Sequence, residues 1–141
     1  MSGRARVLFL CTHNSARSQM AEGLLRQFAG DRFEVYSAGT EATVVRLQAI
    51  EVMREIGVDI SGQESKTLEG YLEQPFDYVI TVCDTTNEAC PVFPGAKRRL
   101  HWSFEDPAAA VGSEEGRLKV FRSVRDKIRE QLEREFLQNN D

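Results

Sequence analysis

The chain has 141 residues, of which 41% are hydrophobic and 28% are charged, and its formal net charge at pH 7 is −4. This composition indicates one globular domain, predicted to span residues 1–141, and argues against a disordered chain. The acidic balance argues against nucleic acid and anionic membranes as partners. The apolar stretch after MSGRAR is too short for a signal peptide or a membrane span, so we expect a cytoplasmic protein.

Strands and helices are predicted to alternate along the chain, because short apolar runs alternate with apolar residues at helical spacing. In chain order the predictions are strand 6–10, helix 18–28, strand 33–37, helix 45–56 with Gly57 as its cap, strands 78–82 and 99–102, and a C-terminal helix with an apolar stripe from Leu118 to Phe136. The predicted stripes of the first two helices are Met20, Leu24, Leu25 and Phe28, and Leu47, Ile50, Met53 and Ile56. This order predicts a mainly parallel sheet with helices on both faces, binding ligands at the carboxyl ends of its strands.

The segment CTHNSARS, residues 11–18, leaves the first strand and enters the first helix. A loop in this position can turn several backbone N–H groups toward one point, and the helix N-terminus adds positive potential, which suits an oxyanion and favours a thiolate. Cys11 is then a candidate nucleophile, Arg17 a fork for two oxyanion oxygens, and Ser18 a proton donor to the thiolate. Asn14 is best able to take a left-handed backbone conformation. The alternative is that Cys11 is simply a small buried residue.

The loop CTHNSARS, together with RSQMAEG, VYSAGTEA and VITVCDTTNEACP, resembles the low-molecular-weight phosphotyrosine phosphatase family, and in particular its arsenate reductase branch. The resemblance extends over essentially the whole chain and implies a four-stranded parallel sheet flanked by helices. It also implies that Cys11 attacks phosphorus or arsenic while the loop binds the oxyanion. The implied oxyanion-binding residues are Thr12, His13, Asn14, Ser15, Ala16 and Arg17. The side chain of His13 could equally face solvent.

Two further cysteines, Cys83 and Cys90, bear on the choice between phosphatase and reductase. A phosphatase needs one thiol and a water molecule, whereas reduction of As(V) to As(III) takes two electrons, which thiols can supply by thiol–disulfide exchange. Resemblance to the thioredoxin-coupled arsenate reductases implies a relay in which Cys83 attacks arsenylated Cys11, and Cys90 then attacks Cys83 to leave a Cys83–Cys90 disulfide. The alternatives are a tyrosine phosphatase that uses Cys11, Arg17 and Asp106, and a non-catalytic oxyanion sensor or thioredoxin-binding protein.

Asp106 is the candidate general acid, because the resemblance places the acid in a matching Asp-Pro motif and Pro107 restricts the backbone before it. Glu105 is the neighbouring alternative. We expect no cofactor and no metal, since the cysteines and histidines show no metal-ligand spacing. The expected partners are arsenate, with phosphate or sulfate as analogues, and thioredoxin as reductant, and the expected state is a monomer.

Some thioredoxin-coupled relatives bind a potassium ion beside the active loop. The resemblance matches its ligands to Asn14, Glu22 and Ser37, with an aspartate where this chain has Lys66. Because an ammonium group there would repel a cation, we expect no potassium dependence and a bridge from Lys66 to Glu22 or Asn14.

Overall fold

The computed structural model describes residues 4–84 and 91–137. Its strands are β1 Ala5–Cys11, β2 Phe33–Gly39, β3 Phe76–Thr81 and β4 Ala96–His101, and they form one parallel sheet in the order β2-β1-β3-β4. The α-helices are α1 Arg17–Ala29, α2 Leu47–Arg54 and α3 Glu114–Leu132, with 3-10 helices at Leu68–Tyr71 and Pro107–Ala109 and a π-helical turn at Glu133–Leu137. The predicted α/β fold with a four-stranded parallel sheet is confirmed.

Strand β1 is apolar almost throughout because both faces of the sheet are covered. Val7 and Phe9 belong to the larger core, which α1, α2 and α3 share. Leu8 and Leu10 belong to a second core, against which the 3-10 helix Leu68–Tyr71 packs. None of the helices among the described residues combines the length and the apolar character needed to cross a membrane.

The apolar stripes of α1 and α2 differ in part from the prediction. Phe28 is exposed near the end of α1, where its ring lies 5.3 Å from the guanidinium of Arg129. Helix α2 begins only at Leu47, which is 79% exposed, because the preceding Arg46 has an extended backbone with φ −66° and ψ 137°. The backbone N–H of Arg46 donates to the carbonyl of Ser15 at 2.9 Å. The buried residues of α2 are Ala49, Val52 and Met53. The predicted stripe of the C-terminal helix is confirmed, since Phe121, Val124, Ile128, Leu132 and Phe136 are all buried.

The predicted cap at Gly57 is confirmed. Gly57 has φ +80°, a left-handed conformation that glycine adopts without a steric penalty. The backbone N–H groups of Gly57 and Val58 donate to Arg54 O and Met53 O, each at 3.0 Å. This pair of bonds is the Schellman arrangement that ends a helix.

The sheet brings the cysteine segments to one edge. Leu10 of β1 is the register partner of Thr81 of β3, and beyond the strand the backbone N–H of Val82 donates to Leu10 O at 2.9 Å. Cys11 and Cys83 each follow this pairing directly, at the carboxyl ends of neighbouring parallel strands. This is the edge at which a parallel sheet binds its ligands.

Candidate active site

The loop from Thr12 to Ala16 is fixed with its carbonyl groups turned toward neighbouring segments. Thr12 O accepts from Glu41 N at 3.0 Å, His13 O accepts from Thr43 Oγ1 at 3.2 Å, and Ser15 O accepts from Arg46 N at 2.9 Å. In a trans peptide the N–H of the next residue points the opposite way from the carbonyl. The backbone N–H groups of residues 13, 14 and 16 therefore point away from those segments, as an anion-binding loop requires.

Asn14 takes the predicted left-handed conformation, with φ 50°. Its conformation is stabilised by Gln19, whose Nε2 donates to Asn14 O at 3.0 Å and to Asn14 Oδ1 at 2.9 Å. Gln19 is buried on α1 and also donates to Glu64 O at 2.9 Å. Sequence reasoning did not identify Gln19, although its place in the first turn of the helix after the loop was a usable signal.

Cys11 is the last residue of β1, and its thiol is buried. Its Sγ lies 2.8 Å from Ser18 Oγ, in the first turn of α1. The N-cap residue of α1 is Ala16, whose methyl group cannot accept a hydrogen bond from the first N–H groups of the helix. Those N–H groups and their positive potential are directed at the loop, which favours a thiolate and an oxyanion.

Arg17 and Asp106 come together although they lie far apart in the chain. The buried guanidinium of Arg17 donates from Nη1 to Phe104 O at 3.1 Å, and its Nη2 lies 3.8 Å from Asp106 Oδ2. Asp106 is 29% exposed, and its Oδ1 accepts from Ala108 N at 3.0 Å, so it caps the 3-10 helix Pro107–Ala109. A carboxyl group beside the oxyanion fork is positioned to deliver a proton to a leaving oxygen.

Two side chains that the sequence offered as candidates, those of Glu105 and His13, point away from the oxyanion loop and contact other residues. Glu105, the alternative acid, is exposed and pairs with Lys127 on α3 at 3.4 Å. The half-exposed ring of His13 lies 3.6 Å from Glu41 Oε1. The contribution of His13 to oxyanion binding is therefore its backbone N–H and not its ring. The geometry favours Asp106 as the acid.

Cys83 is fully buried and belongs to the same core cluster as Cys11. Cys83 is disulfide-bonded, whereas Cys11 is a free thiol. Cys90 lies outside the described residues. That Cys83 attacks arsenylated Cys11 stays a prediction.

Gly39, at the end of β2, was missed by sequence reasoning. A Cβ atom at this position would lie 2.7 Å from Thr12 O, 2.9 Å from Asn14 N and 2.9 Å from Cys11 O, all of them backbone atoms. Any side chain here would therefore push the loop out of place. The usable signal was a glycine that ends the strand next to the Cys11 strand.

The prediction that the Lys66 ammonium bridges to Glu22 or Asn14 is wrong. Lys66 Nζ donates to Glu64 O at 2.6 Å, and it is the backbone N–H of Lys66 that donates to Asn14 Oδ1 at 2.8 Å. The two oxygens of Glu22 accept from Ser37 Oγ and from Arg26. With donors on these oxygens and a guanidinium beside them, the residues do not fit a potassium ion, and independence from potassium stays a prediction.

Comparison with known proteins agrees with this geometry. Residues 6–139 match the family described as low molecular weight phosphotyrosine protein phosphatase. An arsenate reductase of Halalkalibacterium halodurans is 50% identical over 122 residues, 86% of this chain and 88% of that protein. A solved structure of an arsenate reductase in the phosphate binding state has 34% identity and a TM-score of 0.75, covering 92% of this chain and 95% of that one. A thioredoxin-dependent arsenate reductase of Corynebacterium glutamicum has 30% identity and a TM-score of 0.67, covering 99% of this chain and 65% of that one.

Proposed function

The chain belongs to the low molecular weight phosphotyrosine protein phosphatase family, and we propose that it is an arsenate reductase whose electrons pass through Cys11, Cys83 and Cys90. One observation carries the proposal. Cys11 is a free thiol in an oxyanion loop, while Cys83, buried in the same cluster, is disulfide-bonded. A hydrolytic phosphatase needs one cysteine, its nucleophile, and has no use for a second cysteine that forms a disulfide. The similar arsenate reductases support arsenate as the substrate, with phosphate as an analogue.

In the first step arsenate binds to the N–H groups of the loop and to the guanidinium of Arg17. The Cys11 thiolate, with Ser18 as its hydrogen-bond donor, attacks arsenic and forms a sulfur–arsenic bond. One arsenate hydroxyl leaves as water, and Asp106 supplies the proton. Arsenic remains As(V) in this adduct, because substitution of one ligand transfers no net electrons.

In the second step the Cys83 thiolate attacks Cys11 Sγ. A Cys11–Cys83 disulfide forms, the sulfur–arsenic bond breaks, and its electron pair reduces As(V) to As(III), which leaves as arsenite. The Cys90 thiolate then attacks Cys83, which frees Cys11 and leaves a Cys83–Cys90 disulfide. The two thiols oxidised in this disulfide account for the two electrons that arsenic receives.

An external dithiol must reduce the final disulfide, and we assign this role to thioredoxin, supported by the similar thioredoxin-dependent reductase. We also propose that the protein acts as a monomer. The cycle starts from reduced thiols, which supports a cytoplasmic location. We assign the activity to a single domain spanning residues 1–141.

The three cysteine-to-serine variants test the relay, with arsenite measured in the presence of thioredoxin, thioredoxin reductase and NADPH. Cys11→Ser should produce no arsenite, because no nucleophile remains. Cys83→Ser should also produce none, since the adduct has no attacking thiol. Cys90→Ser should release a single equivalent of arsenite per enzyme and accumulate a Cys11–Cys83 disulfide, because nothing frees Cys11.

Hydrolysis of a phenyl phosphate ester serves as the matched control. This reaction would use Cys11, Arg17 and Asp106 alone, so Cys83→Ser and Cys90→Ser should keep whatever hydrolysis the parent shows. Repeated arsenite turnover by both variants would contradict the relay. Efficient ester hydrolysis by the parent without arsenite formation would instead identify a phosphatase.

A further inference from the structure

A network of buried side-chain hydrogen bonds, called here the hydrogen-bond network, extends from the Cys11 thiol to α1 and β2. Cys11 Sγ lies 2.8 Å from Ser18 Oγ, and Asn14 Nδ2 donates to Ser18 Oγ at 2.8 Å. The same Nδ2 donates to Ser37 Oγ at 2.9 Å, and Ser37 Oγ donates to Glu22 Oε1 at 2.5 Å. All five of these residues are buried. The hydrogen-bond network therefore connects the nucleophile to the Glu22 carboxylate through residues that are shielded from solvent.

The hydrogen-bond network ends at Arg26, one turn beyond Glu22 on α1. The Arg26 guanidinium pairs with the second oxygen of Glu22, and the same Nη2 donates to Val35 O at 2.6 Å. The Glu22 side chain is only 7% exposed, whereas that of Arg26 is 47% exposed. A nearly buried carboxylate is costly unless a cation compensates it, and Arg26 supplies that charge from the surface.

The Asn14 amide has only one orientation compatible with its neighbours. The backbone N–H of Lys66 points at one amide atom at 2.8 Å, and since an N–H can only donate, that atom is the oxygen. The NH₂ group is therefore on the other side, facing Ser18 and Ser37. Because Ser18 Oγ accepts from Asn14, its own proton is available for Cys11 Sγ.

The orientation of Ser37 depends on Glu22 in the same way. An ionised carboxylate only accepts, so the Ser37 hydroxyl proton points at Glu22 and the lone pairs of Ser37 remain for Asn14. If Glu22 lost its cation, its buried carboxylate would be an uncompensated negative charge at the end of the hydrogen-bond network, and Arg26 would no longer hold it in place as the acceptor for Ser37. Both changes disfavour a thiolate at Cys11.

We propose that Arg26 is a positioning residue for the Cys11 nucleophile, acting through Glu22, Ser37, Asn14 and Ser18. Its guanidinium keeps both Glu22 oxygens as acceptors. This fixes the direction of each bond in the hydrogen-bond network, so that the Ser18 hydroxyl proton points at the thiolate. The inference rests on the proposed function only in taking Cys11 as the nucleophile. It concerns the readiness of that thiol and is independent of the later steps of the relay.

Other charged groups also face the two ends of the hydrogen-bond network, at Glu22 and at Cys11. Near Glu22, burial raises the pKa of the Tyr71 phenol, and the negative charge of Glu22 raises that pKa further, while the positive charges of Arg6 and Arg26 oppose the rise. Tyr71 is thus a neutral neighbour at neutral pH. Near Cys11, Arg17 pairs with Asp106, and the pair of His13 with Glu41 lies on the exposed side of the loop. Substitution of Arg26 or of Ser37 alters the hydrogen-bond network without touching the Arg17–Asp106 pair or the His13–Glu41 pair.

Alkylation of Cys11 tests the proposal on the oxidised full-length chain, in which Cys83 is disulfide-bonded. Iodoacetamide labelling is followed on the Cys11 peptide by mass spectrometry between pH 4 and pH 9. In Arg26→Gln the pH of half-maximal labelling should rise by about 0.5–1 unit, because the thiolate loses an aligned donor or gains a nearby negative charge. Arg26→Lys, which restores the charge, should recover most of the parent profile. Arg54→Gln, at an exposed arginine that ends α2, is the matched control and should leave the profile unchanged.

Ser37→Ala breaks the hydrogen-bond network without changing its charge, and it should shift the labelling profile in the same direction as Arg26→Gln. This variant decides the matter if Arg26→Gln does not fold. A parent-like labelling profile in a folded Arg26→Gln or Ser37→Ala protein would overturn the proposal and leave the pair a purely structural contact. A shifted profile in an enzyme that reduces no arsenate would keep the inference and reject the proposed function.

Discussion

The loop after β1 and the loop after β4 each supply one reactive group, but they are stabilised by different forces. The Cys11 loop is largely buried, and its side chains bond to groups from β2, from α1 and from Lys66. The acid loop holds Asp106 by a local bond to Ala108 N, with the carboxylate 29% exposed and 3.8 Å from Arg17. The nucleophile is thus part of a network that spans the fold, whereas the acid sits on a local turn.

This difference has a consequence for substitutions. Members of a buried polar network depend on one another, so a change in one part weakens the others. A residue on a local, partly exposed turn has few such dependencies. We therefore expect stability and activity to fall together at the Cys11 loop, and activity to fall alone at the acid loop.

The largest combined effect on stability and turnover is expected for Gly39→Ala, beneath the Cys11 loop. The added Cβ would lie under 3.0 Å from three backbone atoms of residues 11–14, so the loop must move. We expect a loss of about 1–3 kcal/mol in the free energy of unfolding, as for overpacking in a core. We also expect a loss of arsenate turnover of about 100-fold, as small displacements of a reacting group produce. Urea denaturation and a coupled NADPH assay measure the two quantities.

Gly70→Ala is the matched control, because a Cβ at Gly70 meets no heavy atom within 4 Å. This variant should keep parent turnover and stability to within about 0.5 kcal/mol. Equal behaviour of the two variants would show that the Cys11 loop tolerates displacement, and would remove the contrast between the two loops.

Asp106→Asn should lower kcat by about 100-fold or more, since the leaving oxygen loses its proton donor. Asparagine keeps an oxygen that can accept from Ala108 N, so the 3-10 helix keeps its cap and the stability should change by less than about 0.5 kcal/mol. Glu105→Gln is the control next to it and should retain parent turnover. A comparable loss in Glu105→Gln, or clear destabilisation by Asp106→Asn, would contradict the assignment of the acid to a locally stabilised turn.

The reactive residues could be predicted from sequence because their types and local order carry the chemistry. Cys11, Arg17 and Asp106 belong to short motifs, and the left-handed conformation of Asn14 follows from its side chain and the tight loop. Gly39 was missed because its role depends on a close approach of β2 to the Cys11 loop, and Arg26 was missed because its pair with Glu22 gains a role only where Glu22 meets Ser37 of β2. The guanidinium on Glu22 comes from the same helix, one turn away, whereas the sequence directed attention to Lys66. The late start of α2 was also missed, since the extended backbone of Arg46, which bonds to the Cys11 loop, follows from no local pattern.

The smallest effect is expected for Pro107→Ala, which tests how far the acid loop owes its geometry to a stiff backbone. Pro107 restricts Asp106 to an extended conformation, and Asp106 has φ −82° and ψ 107°. An alanine keeps the bond from Ala108 N to the carboxylate but widens the range of backbone conformations of residue 106. We expect kcat to fall about two- to fivefold, with stability lower by about 0.4–1 kcal/mol through the greater freedom of the unfolded chain. Pro94→Ala, at an exposed proline before β4, should show the stability change without the loss of kcat. A fall in kcat as large as that of Asp106→Asn would mean that the proline, rather than the cap and Arg17, sets the position of the acid.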